Sequence, residues 1–125
     1  MEVIKELYVI LDNRPGALGD FSDVLAQNNI NIDTIAVFGD SAKLIVSDVE
    51  RAKRILDEYK YTAEIRDVIR VALENKPGEL AYLTARIGHV GINIDYLYSS
   101  FQENAKKVDV ILDVSDIETT LSLFR

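Results

Sequence analysis

The chain has 125 residues and no cysteine, so disulfides and thiolate metal sites are excluded. Its 21 acidic and 14 basic residues give a formal net charge of −7, which would repel nucleic acid or an anionic membrane over most of the surface. No basic-then-apolar leader and no apolar run of membrane length is present. We therefore expect a cytoplasmic protein with neither a nucleic-acid nor a membrane partner.

The first part of the chain is predicted to fold in the order strand, helix, strand, strand, helix, strand. Pro15 suits the first turn of the first helix, where a missing N–H costs nothing. That helix should stop near Asn28 or Asn29, because Asn tolerates the left-handed conformation found at helix C-termini. Gly39-Asp40 predicts a hairpin turn. The predicted elements are strands over 3–11, 32–38 and 42–46, a helix after Pro15 and a second helix from Ser47.

The second part repeats this plan. Residues 11–33 recur at 73–95 with nine identities and a constant offset of 62 positions, so the chain is an internal duplication. Both copies keep a turn of Asn, a basic residue, Pro and Gly, and both end in Ile-Asn-Ile-Asp. Ser47 and Ser115 each precede a Glu at capping-box spacing and are predicted to cap the second helix of their copy. We place the domains at 1–66 and 67–125.

Two features distinguish the second copy. Its hairpin is six residues longer, around 102–106, between predicted strands over 94–101 and 108–114. The chain also ends at Arg125 without a clear last strand for this copy, which leaves one strand position open. Residues 61–74 must serve both copies, and they either turn tightly near Arg66 and Asp67 or form one long strand.

The turn and second-strand motifs, NRPG with NINI and NKPG with GINI, resemble those of the ACT domain, an amino-acid-binding regulatory module. The resemblance covers nearly the whole chain, in two copies, and is similar to stand-alone ACT pairs that carry no catalytic domain. It implies an α+β fold of two ferredoxin-like βαββαβ repeats with antiparallel sheets and both helices of a repeat on one face. It also implies side-by-side association with effectors bound at the interface.

The turn itself suits a free amino acid. The first N–H groups of a helix have no intrahelical partner and attract a carboxylate. Gly16 permits close approach, and Asn13 offers both donors and an acceptor for a zwitterion. The predicted ligand-binding residues, with the family's contacts carried over onto the Asn and Gly positions, are Leu11, Asn13, Arg14, Gly16, Ala17, Leu18, Asn31, Ile32, Leu73, Asn75, Gly78, Glu79, Leu80, Asn93 and Ile94.

The predicted ligand is aliphatic or aromatic. Some serine-binding relatives have a histidine two residues before the loop Asn, where this chain has Leu11 and Leu73. Leu11, Ile30 and Ile35 are expected to surround the ligand's side chain. Glu79 adds negative charge beside the second turn, so we expect tighter binding at the first turn, completed by a neighbouring half or chain.

Catalysis is not predicted, because no phosphate loop, nucleophile elbow, metal-ligand spacing or catalytic triad is present. We expect a regulatory binding protein without cofactor or metal. The main alternative is an interaction subunit that docks an enzyme of amino-acid metabolism without a ligand of its own. A small ferredoxin-like enzyme is a further alternative, for which only Asp33 or Asp95 could serve as a catalytic carboxylate. The open strand position and the apolar strand faces predict a homodimer or larger assembly.

Overall fold

The computed structural model describes residues 1–99 and 102–125. Its elements follow the predicted order, with one strand shared between the two copies, and the fold is α+β with two ferredoxin-like repeats. The elements are β1 Glu2–Ile10, α1 Ala17–Gln27, β2 Ile32–Phe38, β3 Ser41–Val46, α2 Val49–Glu58, β4 Thr62–Glu74, α3 Glu79–His89, β5 Ile94–Ser99, β6 Lys107–Val114 and α4 Ile117–Leu123.

The strands of the described residues form a six-stranded sheet in the order β2-β3-β1-β4-β6-β5. The chain divides into two compact units. The first unit is Lys5–Arg66, and the second unit is Met1–Ile4 together with Asp67–Arg125. In the strand order of the sheet, β2 and β5 are the two edge strands.

β4 is a single strand of 13 residues, which decides between the two alternatives left open by the sequence. Ala63 and Ile65 pack against the core of the first unit, around the fully buried Phe21. Ile69 and Val71 belong to the core of the second unit. One uninterrupted strand therefore serves both copies, and no turn forms at Arg66 and Asp67.

The strand position expected to be open in the second copy is occupied. No strand follows α4 in the described residues, but Met1–Ile4 is part of the second unit. β1 is the neighbour of β4 in the sheet, so its first residues take the place of the missing last strand. The expectation of an open position was wrong because the start of β1 extends beyond the first unit.

The ends of α1 and α3 match their predicted positions, whereas their starts do not. Asn29 has a φ of 59° and Gly91 a φ of 81°, so two different residues take the same left-handed conformation after α1 and α3. Pro15 lies before α1 instead of in its first turn, because Gly16 is left-handed with a φ of 86° and the helix begins only at Ala17. Gly78 has the same role before α3.

The caps of the second helix in each copy are shifted by one residue. Asp48 and Asp116 accept hydrogen bonds from the backbone N–H groups of Arg51 and Thr119, at 3.2 Å and 3.0 Å. The predicted cap, Ser115, instead accepts a hydrogen bond from the backbone N–H of Asn93 at 3.1 Å. Asp caps a helix as well as Ser does, so each of these helices is capped one residue later than predicted.

The hairpins differ as the sequence indicates. Phe38 pairs directly with Ser41, so Gly39-Asp40 is a two-residue turn, and Gly39 has a φ of 58°. The prediction that the strand of the second hairpin continues to Phe101 falls partly outside the described residues. No helix in the described part of the chain has the length and apolar character that crossing a membrane requires.

Candidate ligand-binding site

The first turn, residues 12–16, is held by its own backbone. The N–H of Arg14 donates to the Asp12 carbonyl at 3.1 Å, and the N–H of Ala17 donates to the Arg14 carbonyl at 3.2 Å. Ala17 therefore does not offer its N–H to an anion, although the first N–H groups of this helix were expected to attract a carboxylate. Within the described residues, the amides of Gly16 and Leu18 make no backbone hydrogen bond.

The charged groups of the first turn face each other. Arg14 Nε lies 3.5 Å from Asp12 Oδ2, and both side chains are more than half exposed. Asn13 lies beside the short hairpin, since a Cβ on Gly39 would be 3.9 Å from Asn13 Nδ2. This turn has an exposed Asn, an internally paired Arg and a tight hairpin next to it.

A cavity of about 250 Å³ lies beside the second turn, residues 74–78. Its walls come from the end of β4, the start of α3 and the paired strands β5 and β6. Five apolar side chains form most of it, and three charged side chains and Asn75 lie among them. The lining residues are Leu73, Glu74, Asn75, Lys76, Glu79, Leu80, Leu97, Ser99, Val108 and Val110.

Asn75 is fixed by the longer hairpin of the second copy. Its N–H donates to the Lys106 carbonyl at 2.9 Å, and its Nδ2 donates to the carbonyls of Ala105 at 3.0 Å and Gln102 at 3.5 Å. These bonds engage the donors of the side chain, and Asn75 itself lines the cavity. The six extra residues therefore position the Asn that the turn motif supplies.

Lys76 links two acids at the cavity. Its Nζ lies 2.9 Å from Glu74 Oε2 and 3.5 Å from Glu79 Oε1. The hydrogen bond from Lys76 lowers the pKa of Glu74, and the bond to Glu74 raises the pKa of Lys76. Lys76 thus offsets part of the negative charge of Glu79, which weakens the sequence argument against this turn. Tighter ligand binding at the first turn than at the second stays a prediction.

The second-strand Asn residues are not brought to the turns within one copy. Asn31 precedes β2, whereas the end of β1 and the end of β2 both pair with Ser41. β2 has 7 residues and at about 3.3 Å per residue is about 23 Å long, so Asn31 lies at the opposite end from Asn13. Asn31 and Ile32, and likewise Asn93 and Ile94, therefore stay outside the cavity region.

The Asn residues at the start of β2 and β5 instead bond locally. Asn31 Nδ2 donates to Asp33 Oδ1 at 2.9 Å, and Asn93 Nδ2 donates to Asp95 Oδ1 at 2.7 Å. The sequence prediction that each Asn shares a side with the following Asp is consistent with this contact. An Asn from outside the same repeat would be needed to bring the expected polar side chains together at a turn.

The apolar residues around the first turn divide into buried and exposed groups. Leu11, Ala17 and Ile30 are buried, so two of the three residues expected to surround a ligand side chain belong to the core. Leu18 and Ile35 are 42% and 41% exposed. By the repeat offset they correspond to Leu80 and Leu97, which line the cavity in the second copy.

Sequence reasoning missed six residues of the cavity wall. Glu74 and Lys76 flank the predicted Asn75, and the other four lie on β5 and β6: Leu97, Ser99, Val108 and Val110. Val108 pairs with Leu73 and Val110 with Val71 across the β4–β6 ladder. The strand register, which the longer hairpin obscured, is the signal that could have found them.

Comparison with known proteins supports the resemblance seen in the motifs. The family model described as an ACT domain pair matches residues 2–120. A solved structure of a protein from Bacteroides thetaiotaomicron is 29% identical, with a TM-score of 0.86, and the match covers 98% of this chain and 86% of that one. None of the curated proteins compared matches.

Two further solved structures share the fold at lower identity. The ligand-free regulatory subunit of aspartate kinase from Thermus thermophilus is 19% identical, with a TM-score of 0.67, and the match covers 99% of this chain and 95% of that one. A structure of aspartokinase alpha and beta subunits is 21% identical, with a TM-score of 0.66 and the same two coverages. The whole chain, and not one half alone, thus shares its fold with these two structures.

Proposed function

Because the chain belongs to the family of ACT domain pairs, we propose that it is a non-catalytic regulatory protein that binds a free amino acid beside its second turn. The observation that carries the proposal is the cavity of about 250 Å³ at Asn75. Small-molecule pockets usually measure roughly 300–1,000 Å³. A slightly smaller cavity suits a ligand of amino-acid size.

The charged groups around the cavity suit a zwitterion. Lys76 and the amides at the start of α3 would hold the carboxylate, since unpaired amides at a helix N-terminus favour an anion. Asn75 Oδ1 and the Glu79 carboxylate would accept from the ammonium group. The carboxylate of the ligand would share Lys76 with Glu74 and Glu79, and its ammonium group would offset part of the negative charge of these two acids.

The apolar walls favour an aliphatic or aromatic side chain over serine, aspartate or glutamate. Leu73, Leu80, Leu97, Val108 and Val110 all line the cavity. Each buried methylene contributes about 0.8 kcal/mol, so a branched side chain would gain about one or two powers of ten in affinity over glycine.

The first turn carries exposed apolar side chains that an assembly would cover. Its apolar residues, Leu18 and Ile35, are exposed, and its second-strand Asn lies at the far end of β2. A second copy would cover these residues, so the working form is a homodimer or larger. Because similar structures include regulatory parts of aspartate kinases, an enzyme of amino-acid metabolism is the class of partner we propose.

One observation favours the second candidate function, an interaction subunit without a ligand. Asn75 already has three hydrogen bonds to the hairpin, so its turn has a structural role with or without a ligand. The two candidates make opposite predictions for stability in the presence of amino acids.

A thermal-shift panel of the twenty amino acids tests the proposal, because a ligand that binds only the folded state raises its stability. We expect leucine, isoleucine, valine or phenylalanine to raise the melting temperature, and serine and aspartate to raise it less or not at all. A flat panel at millimolar ligand would support the interaction subunit. Stabilisation by the polar amino acids alone would contradict the proposed side-chain selectivity.

A further inference from the structure

The outer face of α3 carries exposed apolar and basic side chains, which we name the basic face: Tyr82, Arg86, His89 and Val90. Tyr82 is 60% exposed and Val90 is 48% exposed. Together with Ala85 and Leu123 these residues line a groove of about 340 Å³. None of them lines the cavity at the second turn, so the groove is separate from the proposed amino-acid site.

Arg86 is held in a fixed position at this groove. Its Nη1 donates to the Tyr82 hydroxyl at 3.0 Å, and its Nη2 donates to the Leu123 carbonyl at 2.9 Å. Its Cζ also lies 5.1 Å from the centre of the Phe124 ring. A guanidinium already held by neutral groups keeps its charge and loses little freedom when a carboxylate binds it.

The corresponding face of α1 has the opposite character. By the repeat offset, Tyr82 corresponds to Asp20, Ala85 to Asp23 and His89 to Gln27. We name Asp20, Asp23 and Gln27 the acidic face. Gln27 Nε2 donates to Asp23 Oδ2 at 2.7 Å, which fixes that carboxylate at the surface. Gly19 and Ala26 are exposed on the same side of the helix, so large side chains could approach it closely.

We propose that the basic face of one copy binds the acidic face of a second copy. Tyr82 and Val90 would pack over the small residues of α1, and Arg86 would pair with Asp20 or Asp23. Opposite charges at an interface favour the correct partner and speed its encounter. Large exposed apolar residues beside a fixed charge are also the composition of interface centres. The inference rests on the self-association included in the proposed function and identifies a surface, apart from Leu18 and Ile35, that would contribute to it.

The contact joins unlike surfaces, so it depends on both helices. We expect Arg86→Glu and Asp23→Arg each to weaken self-association by about tenfold or more, measured by sedimentation velocity across a dilution series. Combining both substitutions in one chain should restore association. An equimolar mixture of the two single variants should also associate, since each then supplies the charge that the other has lost.

Arg54→Glu is a matched control, since it makes the same charge change at an exposed position of α2 and should leave association unchanged. Tyr82→Ser tests the basic face without changing its charge and should also weaken association. A monomeric wild-type chain, or single variants that associate like wild type, would overturn the proposal. In either case the thermal-shift panel still reports on amino-acid binding, so failure of this contact is distinguishable from failure of the ligand site.

Discussion

Arg70 in β4 donates a hydrogen bond of 2.9 Å from its Nε to the Glu2 carboxylate in β1, across a separation of 68 residues in sequence. The contact lies within the second unit, where the first four residues of the chain complete the strand order. Residues 1–4 are therefore part of the structure of the second unit, although the rest of that unit begins only at Asp67.

Deletion of residues 1–4 should destabilise the second unit. It would expose the hydrogen-bonding edge of β4 beside the core residues Ile69 and Val71. We expect a lower midpoint in urea unfolding, together with loss of amino-acid binding at the second turn. Glu2→Gln is the control: its ion pair is exposed, so it should cost less than about 1 kcal/mol. An unchanged midpoint after the deletion would contradict the structural role of these residues.

Gly16→Ala and Gly78→Ala should each cost about 1–2 kcal/mol of stability, since an L side chain is strained at positive φ. Gly16 has a φ of 86° and Gly78 a φ of 94°. No atom lies within 4 Å of a Cβ added at either position, so the cost would come from the backbone alone. Gly19→Ala is the matched control within α1 and should stabilise the chain by about 0.5–1 kcal/mol. Equal effects at all three positions in chemical unfolding would refute this account.

Leu97→Phe should abolish amino-acid binding at the second turn, because the larger ring would occupy the cavity that Leu97 lines. Ile35→Phe makes a comparable change at the corresponding position of the first copy and should leave that binding intact. Isothermal titration calorimetry with the best ligand of the panel gives both affinities. The opposite pattern would place the ligand at the first turn, as the negative charge of Glu79 beside the second turn predicts.

Asp116 should make stability depend on pH in the acid range. The side-chain and backbone hydrogen bonds from Thr119 lower the pKa of its carboxyl in the folded state. A lowered folded pKa adds stability above the unfolded value of about 3.9, and this stability is lost as the pH falls through the folded pKa. Asp116→Asn keeps a capping group but does not titrate. In urea unfolding at a series of pH values, its stability difference from wild type should shrink below about pH 4, whereas a constant difference would argue against the linkage.

Much of the fold was predictable because its signals are local. The turn residues, the positive-φ positions at Asn29 and Gly91 and the apolar spacing of each helix depend on neighbours in sequence. The duplication then fixed the order of elements and paired each position with a counterpart 62 residues later. Three residues that the repeat predicted for the ligand site, Asn75, Glu79 and Leu80, line the cavity.

Other features required the tertiary structure, because they depend on pairings between distant segments. Strand register brought Val108 opposite Leu73 and so formed the cavity wall. The shared motif had suggested that Asn31 and Asn13 lie together. The strand register instead separates them by the length of β2. The position of residues 1–4 beside β4 also could not be predicted from the sequence, because it too depends on a pairing between distant segments. A strand records in its sequence which face is apolar, but not which neighbour will satisfy its backbone N–H and C=O groups.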